Sequence, residues 1–441
     1  MTRPHRRSTD AASVRRRPNR RTARSILLGA TTMLVVAVTA ACSVSPPDNT
    51  SVPINPSVSG PALVSQYPNV TLTAPRDSRG PGGVVALQDP PTPVDPDLTS
   101  VGVSIRRIVY RSTSGLDNSP TEVSGIVVVP NGPPPDGGWP VVAYGRPNSG
   151  IQPQCAPSLF GSMLGNAEVM ANIAVSGYVV VMSDYQGIGQ SGPVVPFLDA
   201  TTYGNNLIDA VRAAHALNPT VISTKWISYG GALGGLASWA AGDRSVAYGQ
   251  GLDLLGSASI APWANMTGLV DRAVSGTLNP AQYSVYIYTL QSIADSNPSM
   301  NLDDYRSPYA RSIWPTLLQC LPTARTSVED IGRAITSLGP DDLKPNSIAA
   351  AAFLKSRIAA RALPVGANKQ PALIIYGTDD QVADVGPTEA AITQACQDGQ
   401  RLFVVRRAGE TQEDLKADQA VDFVNTLRLG GGNVTNCGDR P

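Results

Sequence analysis

A cluster of glycines surrounds a position suited to a catalytic nucleophile. Residues 226–229 are apolar, aromatic or small, four glycines lie within the next six positions, and residues 236–241 have the composition of a helix. In a strand, tight turn and helix of this kind, a Gly-x-Ser-x-Gly pattern holds a serine ready to attack an acyl carbon, and the glycines permit the strained turn. Here the pattern is Gly230-x-Ala232-x-Gly234, and a methyl group cannot attack an ester.

The base that such a nucleophile needs is also missing. Hydrolysis by a serine requires a proton acceptor with a pKa near neutrality, which histidine provides. The chain has 2 histidines, His5 in a basic leader and His215 in the middle of an alanine-rich helical pattern, where we expect a structural role. Since there is no Cys-x-x-Cys pair and one histidine beyond the leader, the sequence predicts neither a metal site nor a cofactor.

The elements that would position these residues alternate along the chain. Residues 103–110 and 121–129 predict an antiparallel opening pair, and residues 205–217 predict a helix. Further apolar strands are predicted at 139–144, 178–183, 225–229, 256–260, 371–376 and 401–405. Apolar strands separated by helices are typical of an α/β fold with a mainly parallel, doubly wound sheet. A chain of 441 residues that is 42% hydrophobic can bury such a core.

The same pass along the chain suggests five segments. We expect residues 1–42 to be an export signal and residues 43–100 to be a proline-rich tether and lead-in segment. Residues 101–262 would form the first part of the α/β core, and residues 371–441 the second part. Residues 263–370 have mixed helical character, so we predict a helical cap over the carboxyl edge of the sheet.

The chain resembles the secretory lipase family of actinobacteria and fungi, a branch of the α/β-hydrolases, over about residues 100–441. The resemblance rests first on the turn at residues 230–234, here called the elbow, and on the Ser238-Trp-Ala-Ala helix that follows it. The other motifs that carry it are Gly177-Tyr-Val-Val-Val-Met-Ser-Asp-Tyr-Gln-Gly-Ile-Gly189, Cys155-Ala-Pro-Ser158, Gly377-Thr-Asp-Asp380 and the Cys396-x-x-Gly399 turn. It implies an α/β-hydrolase fold and an acyl-ester hydrolase ancestor with a serine, an aspartate and a histidine in that chain order.

Three of the four catalytic elements of that family are altered here. The nucleophile position falls on Ala232, the acid position on Asp380, and the histidine position on Gln412 in Ala408-Gly-Glu-Thr-Gln412. The family's His-Gly pair, which helps to build the oxyanion hole, falls on Arg146-Pro147. The resemblance therefore implies a degenerate triad.

The altered positions lead to further predictions. We expect Asp379 and Asp380 to lie in a solvated turn, where Gln412 would hydrogen-bond Asp380 in place of the imidazole. Leu233 still offers a backbone N–H at the oxyanion position, whereas Pro147 has none to contribute. Two interpretations of Arg146 stay open, a solvated surface arginine or a group that holds a carboxylate or phosphate head group in the former active-site mouth.

The cysteines suggest covalent cross-links. Apart from Cys42 at the end of the leader, the chain has Cys155, Cys320, Cys396 and Cys437. An even number in an exported chain indicates two disulfides, for which three pairings are possible. The family resemblance implies Cys155 with Cys320 and Cys396 with Cys437.

Charge and the N-terminal segment point to export. Lys+Arg and Asp+Glu are each 34, but the basic residues crowd into the first 24 positions, so the mildly acidic remainder does not suggest nucleic-acid binding. An apolar stretch of about 16 residues follows, short of the roughly 20 that span a bilayer, which leaves an uncleaved membrane anchor as the weaker alternative to an export signal. The ending Thr39-Ala-Ala-Cys42 resembles a bacterial lipobox and predicts a lipid-modified Cys42 at the cell envelope; plain secretion is the alternative.

Three functional hypotheses follow. The leading one is a cell-surface lipoprotein with a degenerate triad, which binds a lipid, another apolar acyl ligand or an unidentified protein partner through the inherited cleft. The second is an active lipase or carboxylic ester hydrolase that uses non-standard residues, with Ser228 or Ser149 as the nucleophile. The third is a purely structural envelope protein with a closed cleft.

Overall fold

The computed structural model describes residues 67–439, apart from residues 191, 193, 322–324 and 433–434. The predicted export signal, Cys42 and the tether up to residue 66 lie outside the described residues. Within the described part, no helix combines the length and the apolar character that a membrane crossing requires.

Strands and helices alternate along most of the described chain. The strands are β1 (Val84–Gln88), β2 (Val103–Thr113), β3 (Pro120–Pro130), β4 (Trp139–Gly145), β5 (Val179–Ser183), β6 (Ile222–Gly231), β7 (Asp253–Ile260), β8 (Pro371–Gly377) and β9 (Arg401–Arg407). The helices are α1 (Pro96–Thr99), α2 (Ala167–Val175), α3 (Ala200–Leu217), α4 (Leu233–Tyr248), α5 (Gly268–Ser275), α6 (Pro280–Ser296), α7 (Pro308–Leu317), α8 (Arg325–Thr336), α9 (Ile348–Ala359), α10 (Val385–Gln397) and α11 (Asp418–Arg428).

The strands described form one nine-stranded sheet in the order β1-β2-β3-β5-β4-β6-β7-β8-β9. The pairs from β1 to β5 along this order are antiparallel, and every later pair is parallel. The predicted α/β-hydrolase fold, with an antiparallel opening pair and a mainly parallel sheet, is confirmed.

The continuous apolar composition of the central strands follows from burial on both faces. Along β4, Val141 and Ala143 pack with α3 and α4 in one hydrophobic cluster, whereas Val142 and Tyr144 pack with α2 and α11 in another. Successive side chains of a strand point to opposite faces. A strand with helices on both sides therefore shows no apolar and polar alternation.

The eight predicted strands are all present, and the structure adds β1. Residues 43–100 were expected to lie outside the core, but β1 pairs with the edge of β2, and Leu72 and Leu98 are buried. The prediction for the end of this segment was therefore wrong. The five-residue strand lies between glycines and prolines, which locally favour a loop, and its pairing with β2 outweighs that local preference.

The insertion between β7 and β8, called the cap below, contains α5 to α9 in its described part. The apolar side chains of Tyr286 and Tyr288 on α6 belong to the same hydrophobic cluster as Leu207 on α3 and Leu236 on α4. The cap therefore shares one hydrophobic core with the helices that flank the elbow.

Polar contacts hold the cap to two loops of the core. Arg272 on α5 donates to the carboxylate of Asp384 at 2.9 Å. Asn279, the N-cap residue of α6, donates through Nδ2 to the carbonyl of Gln381 at 2.7 Å. Arg361, which is buried, donates to the carbonyl of Phe197 at 2.8 Å. These contacts hold the cap near the loops that follow β5 and β8.

Two disulfides cross-link the described chain, Cys155–Cys320 and Cys396–Cys437. They are the same pairs that the family resemblance implies. The first joins the loop after β4 to the cap, and the second joins the end of α10 to the C-terminal segment. Their sequence separations are 165 and 41 residues.

We expect the loss of either disulfide to destabilise the protein because a cross-link restricts the unfolded chain. For loops of 165 and 41 residues the chain-entropy relation gives about 5 and about 4 kcal/mol. Denaturant unfolding of Cys155→Ser/Cys320→Ser and Cys396→Ser/Cys437→Ser would measure both losses. Peptide mapping under non-reducing conditions that linked Cys155 to Cys396 would contradict the arrangement.

Candidate functional site at the elbow after β6

The elbow keeps a strained backbone although it lacks a nucleophile. Ala232 lies between β6 and α4 with φ 53° and ψ −117°, a region that side chains with a Cβ rarely adopt. Its N–H donates to the carbonyl of Ile260 at 2.9 Å. Such strain persists only where the surrounding structure holds it. This is the conformation of a turn that presents a side chain at the end of a strand.

Two glycines of the elbow are required by close backbone approach. A Cβ on Gly230 would lie 2.3 Å from the carbonyl oxygen of Gly234, and a Cβ on Gly234 would lie 1.9 Å from that of Gly145. Neither contact is possible for a larger residue because the neighbouring atoms belong to the backbone. The fit of β4 against the start of α4 therefore depends on these glycines, whatever residue stands at position 232.

The region where an oxyanion hole would lie is rebuilt around Arg146, which is fully buried. Both earlier interpretations of Arg146, as a solvated residue or a ligand holder, were wrong. Its guanidinium donates to the carbonyl of Asp184 at 2.6 Å, to the carbonyl of Pro147 at 2.9 Å and to Ser149 Oγ at 2.7 Å. These protein groups satisfy the buried cation, so it is not available to a head group.

Arg146 also stabilises the loop after β4, which a disulfide joins to the cap. Ser149 Oγ, which accepts from Arg146, donates to the carbonyl of Cys155 at 2.6 Å. The carbonyl of Ser149 accepts the N–H of Leu321, next to Cys320, at 2.9 Å. The guanidinium carbon lies 4.8 Å from the centre of the Tyr185 ring, a favourable cation–π distance. Arg146 is therefore a positioning residue for the junction between cap and core.

Leu233 and Pro147 are the other two residues that the sequence analysis assigned to the oxyanion region. Leu233 is the first residue of α4 and is buried, so its backbone N–H lies at the helix N-terminus beside Ala232. Pro147, which has no N–H, follows Arg146 and contributes its carbonyl to that side chain.

Asp380 follows β8 and lies partly buried beneath the cap, whereas its neighbour Asp379 is exposed. Asp380 Oδ1 accepts the N–H of Val382 at 2.8 Å and the N–H of Ala383 at 3.0 Å. Burial raises the pKa of the Asp380 carboxyl to about 6, although both N–H groups act in the opposite direction. The expectation of a solvated turn thus holds for Asp379 but not for Asp380.

Gln412 does not replace a histidine in a contact with Asp380. Its Oε1 accepts the indole N–H of Trp263 at 3.2 Å, and among the described residues no hydrogen bond joins it to Asp380. The expected pair was wrong because the carboxylate is already bound by two backbone N–H groups, while the buried indole needs an acceptor. Trp263 also donates its backbone N–H to the carbonyl of Ala232 at 3.3 Å.

The other candidate residues of the described part are engaged in structural contacts. His215, the single histidine of the described part, lies on α3 with Nδ1 2.6 Å from the carbonyl of Ile222, in keeping with a structural role. Ser228 is buried within β6 and donates to the carbonyl of Ser238 at 2.8 Å, and Ser149 is bound as described above. In the described residues, no group of three or more His, Cys, Asp or Glu side chains could hold a metal ion.

The sequence did not single out two residues that organise this site. One is Trp263, whose only signal is an aromatic residue three positions after β7. The other is Asp184, fully buried, whose carboxylate accepts from Ser124 Oγ at 2.5 Å, from the N–H of Ser158 at 3.0 Å and from Ser158 Oγ. Asp184 and Ser158 lie in two of the motifs that carry the family resemblance, which was the available signal for them.

The buried carboxyl of Asp380 predicts a pH-dependent stability. Its pKa rises from 3.8 to about 6 on folding, so the folded state binds the proton more tightly and stability falls as pH rises between these values. The loss is roughly 3 kcal/mol, complete just above pH 6. Thermal unfolding across pH 4 to 7 should show a smaller fall for Asp380→Asn than for wild type. Asp379→Asn is the matched control, and equal slopes for all three proteins would contradict the prediction.

Comparisons with known proteins identify the family of this chain. The sequence model of the family described as "Secretory lipase" matches residues 163–411. Among solved structures, Candida antarctica lipase A in its closed state is similar at 15% identity and a TM-score of 0.61, covering 81% of this chain and 84% of that one. The rice cell wall degrading esterase LipA from Xanthomonas oryzae is similar at 20% identity and a TM-score of 0.62, covering 80% and 99%. No curated protein matches. Since the family model spans more than half of the sequence, the chain belongs to the secretory lipase family.

Proposed function

We propose that this protein is a non-catalytic member of the secretory lipase family that acts by binding. The observation that carries the proposal is the elbow itself, which has the backbone of a nucleophile turn with Ala232 at its centre. The histidine position is held by Gln412, whose side chain is engaged by Trp263. A nucleophile and a base are therefore both absent from the positions where the fold would use them.

Kinetic magnitudes favour binding over residual catalysis. Loss of a single triad member lowers the rate by about 10⁴ to 10⁶, and this chain lacks two. The alternative of an active ester hydrolase would need Ser228 or Ser149, but both are buried and hydrogen-bonded to backbone carbonyls. No histidine lies near either in the described part, since His215 is directed to the carbonyl of Ile222.

The surroundings of the elbow support an apolar ligand. Leu233, Trp263, Met266 and Leu269 belong to one hydrophobic cluster with the cap residue Tyr286. This apolar composition favours a lipid or another apolar acyl compound over a polar ligand. A protein partner at the same face is the alternative ligand class.

We expect the protein to be inert toward esters. Hydrolysis of 4-nitrophenyl butyrate by wild type should stay at the uncatalysed background. Ala232→Ser should stay there too, because it restores the nucleophile without a base. The measurement is the release of nitrophenol at pH 7 to 8, with serine-directed phosphonate labelling as the control. Wild-type turnover of ordinary size, with a label on any serine, would refute the proposal.

We also propose that the protein is held at the cell envelope by lipid on Cys42. The secretory family and the two disulfides indicate an exported protein. The anchor itself rests on the sequence: a basic leader, a short apolar stretch, and Ala40-Ala41 before Cys42. Cleavage after Ala41 without acylation would leave one free thiol beside four paired cysteines, an unfavourable outcome in an oxidising compartment.

Replacement of Cys42 by alanine should release the protein from the membrane. Wild type is expected in the detergent-soluble membrane fraction, and Cys42→Ala in the soluble envelope fraction or the medium. Immunoblots of the fractions, with cysteine left intact at the four disulfide positions, measure the difference. Identical partition of the two proteins would exclude the anchor and would leave the non-catalytic assignment standing.

A further inference from the structure

Trp263 contacts both positions at which the catalytic pair has been lost. Its backbone N–H donates to the carbonyl of Ala232 at 3.3 Å, and its indole N–H donates to Gln412 Oε1 at 3.2 Å. The side chain is buried, with 5% of its surface exposed. One aromatic residue therefore links the nucleophile position to the histidine position.

The topology of the sheet shows where the indole must lie. Ala232 follows β6, Trp263 follows β7, Asp380 follows β8 and Gln412 follows β9, and these four strands are adjacent and parallel. The N–H of Asp379 donates to the carbonyl of Glu410 at 3.0 Å, so the loop after β9 lies against the end of β8. The indole of Trp263 therefore meets Gln412 at the carboxyl edge of the sheet, beside the loop that holds Asp380. In an active hydrolase of this layout, the reacting group of the substrate lies at this edge.

The charges around this edge disfavour an anionic ligand. The carboxylates of Glu413 and Asp384 act electrostatically on Asp380. Of the nearby arginines described, Arg146 is buried and bound to backbone carbonyls, and Arg272 is paired with Asp384. A fatty-acid carboxylate would thus meet the negative charge of these carboxylates, whereas an uncharged apolar chain would not.

Movement of Trp263 does not require the cap to leave the core. The cap is held by the Cys155–Cys320 disulfide and by Asn279 on the carbonyl of Gln381. Displacement of the Trp263 side chain breaks its hydrogen bond to Gln412 and its packing in the hydrophobic core, and it leaves those links intact.

We propose that the indole of Trp263 is an internal plug that occupies the binding site of an uncharged, apolar chain, and that Gln412 holds the plug in place. This inference rests on the proposed non-catalytic binding function and identifies what controls the site. A ligand must displace the indole, so affinity in the wild-type protein is lowered by the fraction of molecules in which the plug is out.

Titration with 1-decanol followed by isothermal calorimetry tests the plug. Trp263→Ala should bind decanol at least tenfold more tightly than wild type, because the ligand no longer has to displace the indole. The matched control is Trp314→Ala, which removes another buried tryptophan of the cap whose indole N–H donates to a glutamine, Gln291, at 2.8 Å. This control should bind as wild type does.

Two milder variants keep the test valid if Trp263→Ala fails to fold. Gln412→Leu removes the acceptor, and Trp263→Phe removes the donor, while both keep an aromatic ring in place. Each should bind decanol about fivefold more tightly than wild type, the effect of one net hydrogen bond. Near-ultraviolet circular dichroism would verify the fold of every variant.

Three results would overturn the plug. The first is that both milder variants bind decanol with an affinity within twofold of wild type. The second is that Trp314→Ala binds decanol as tightly as Trp263→Ala does. The third is decanoate bound at pH 8 as tightly as decanol by Trp263→Ala, which refutes the uncharged ligand. Failure of the proposed function has a different signature, because ester turnover by wild type would disprove non-catalysis without changing the decanol comparison.

Discussion

The guanidinium of Arg146 is buried and needs hydrogen-bond acceptors inside the protein, and this requirement constrains the loops around the site. Its guanidinium reaches the carbonyls of Asp184 and Pro147 and the hydroxyl of Ser149. These groups belong to the loops after β4 and β5, so both loops must adopt the geometry that satisfies it. Through Ser149 the same network reaches Cys155 and the disulfide that holds the cap. Arg146 therefore connects the loops after β4 and β5 with the junction between core and cap.

The persistence of the elbow shows that its strain serves the fold as well as chemistry. Ala232 has a positive φ without any serine to present. The turn is held because Gly230 and Gly234 let β4, β6 and the first turn of α4 meet at backbone contact, and a relaxed turn would separate them. The conformation of the elbow therefore does not depend on a serine at position 232.

The two remaining catalytic positions have separated. Asp380 is bound by backbone N–H groups of its own turn, beside the cap residues that hold Gln381. Gln412 instead accepts a hydrogen bond from the indole N–H of Trp263. An imidazole could bond a carboxylate and a serine at once, but an amide bonded to an indole connects the site to the cap instead. The carboxyl edge of the sheet at these positions is part of the contact between core and cap.

What the sequence determined by itself follows from local and periodic properties. Apolar runs of strand length marked the strands β2 to β9, the glycine pattern marked the elbow, and Ala232 together with the scarcity of histidine argued against ordinary serine chemistry. These features are visible because backbone geometry and the chemistry of single side chains need no partner to be recognised. The pairing of Gln412 with Trp263, the burial of Arg146 and the strand β1 were decided by the tertiary structure alone. Each depends on residues far apart in the chain, 149 positions in the case of Trp263 and Gln412, whose competition for hydrogen-bond partners and for buried space exists only once the sheet and the cap have come together.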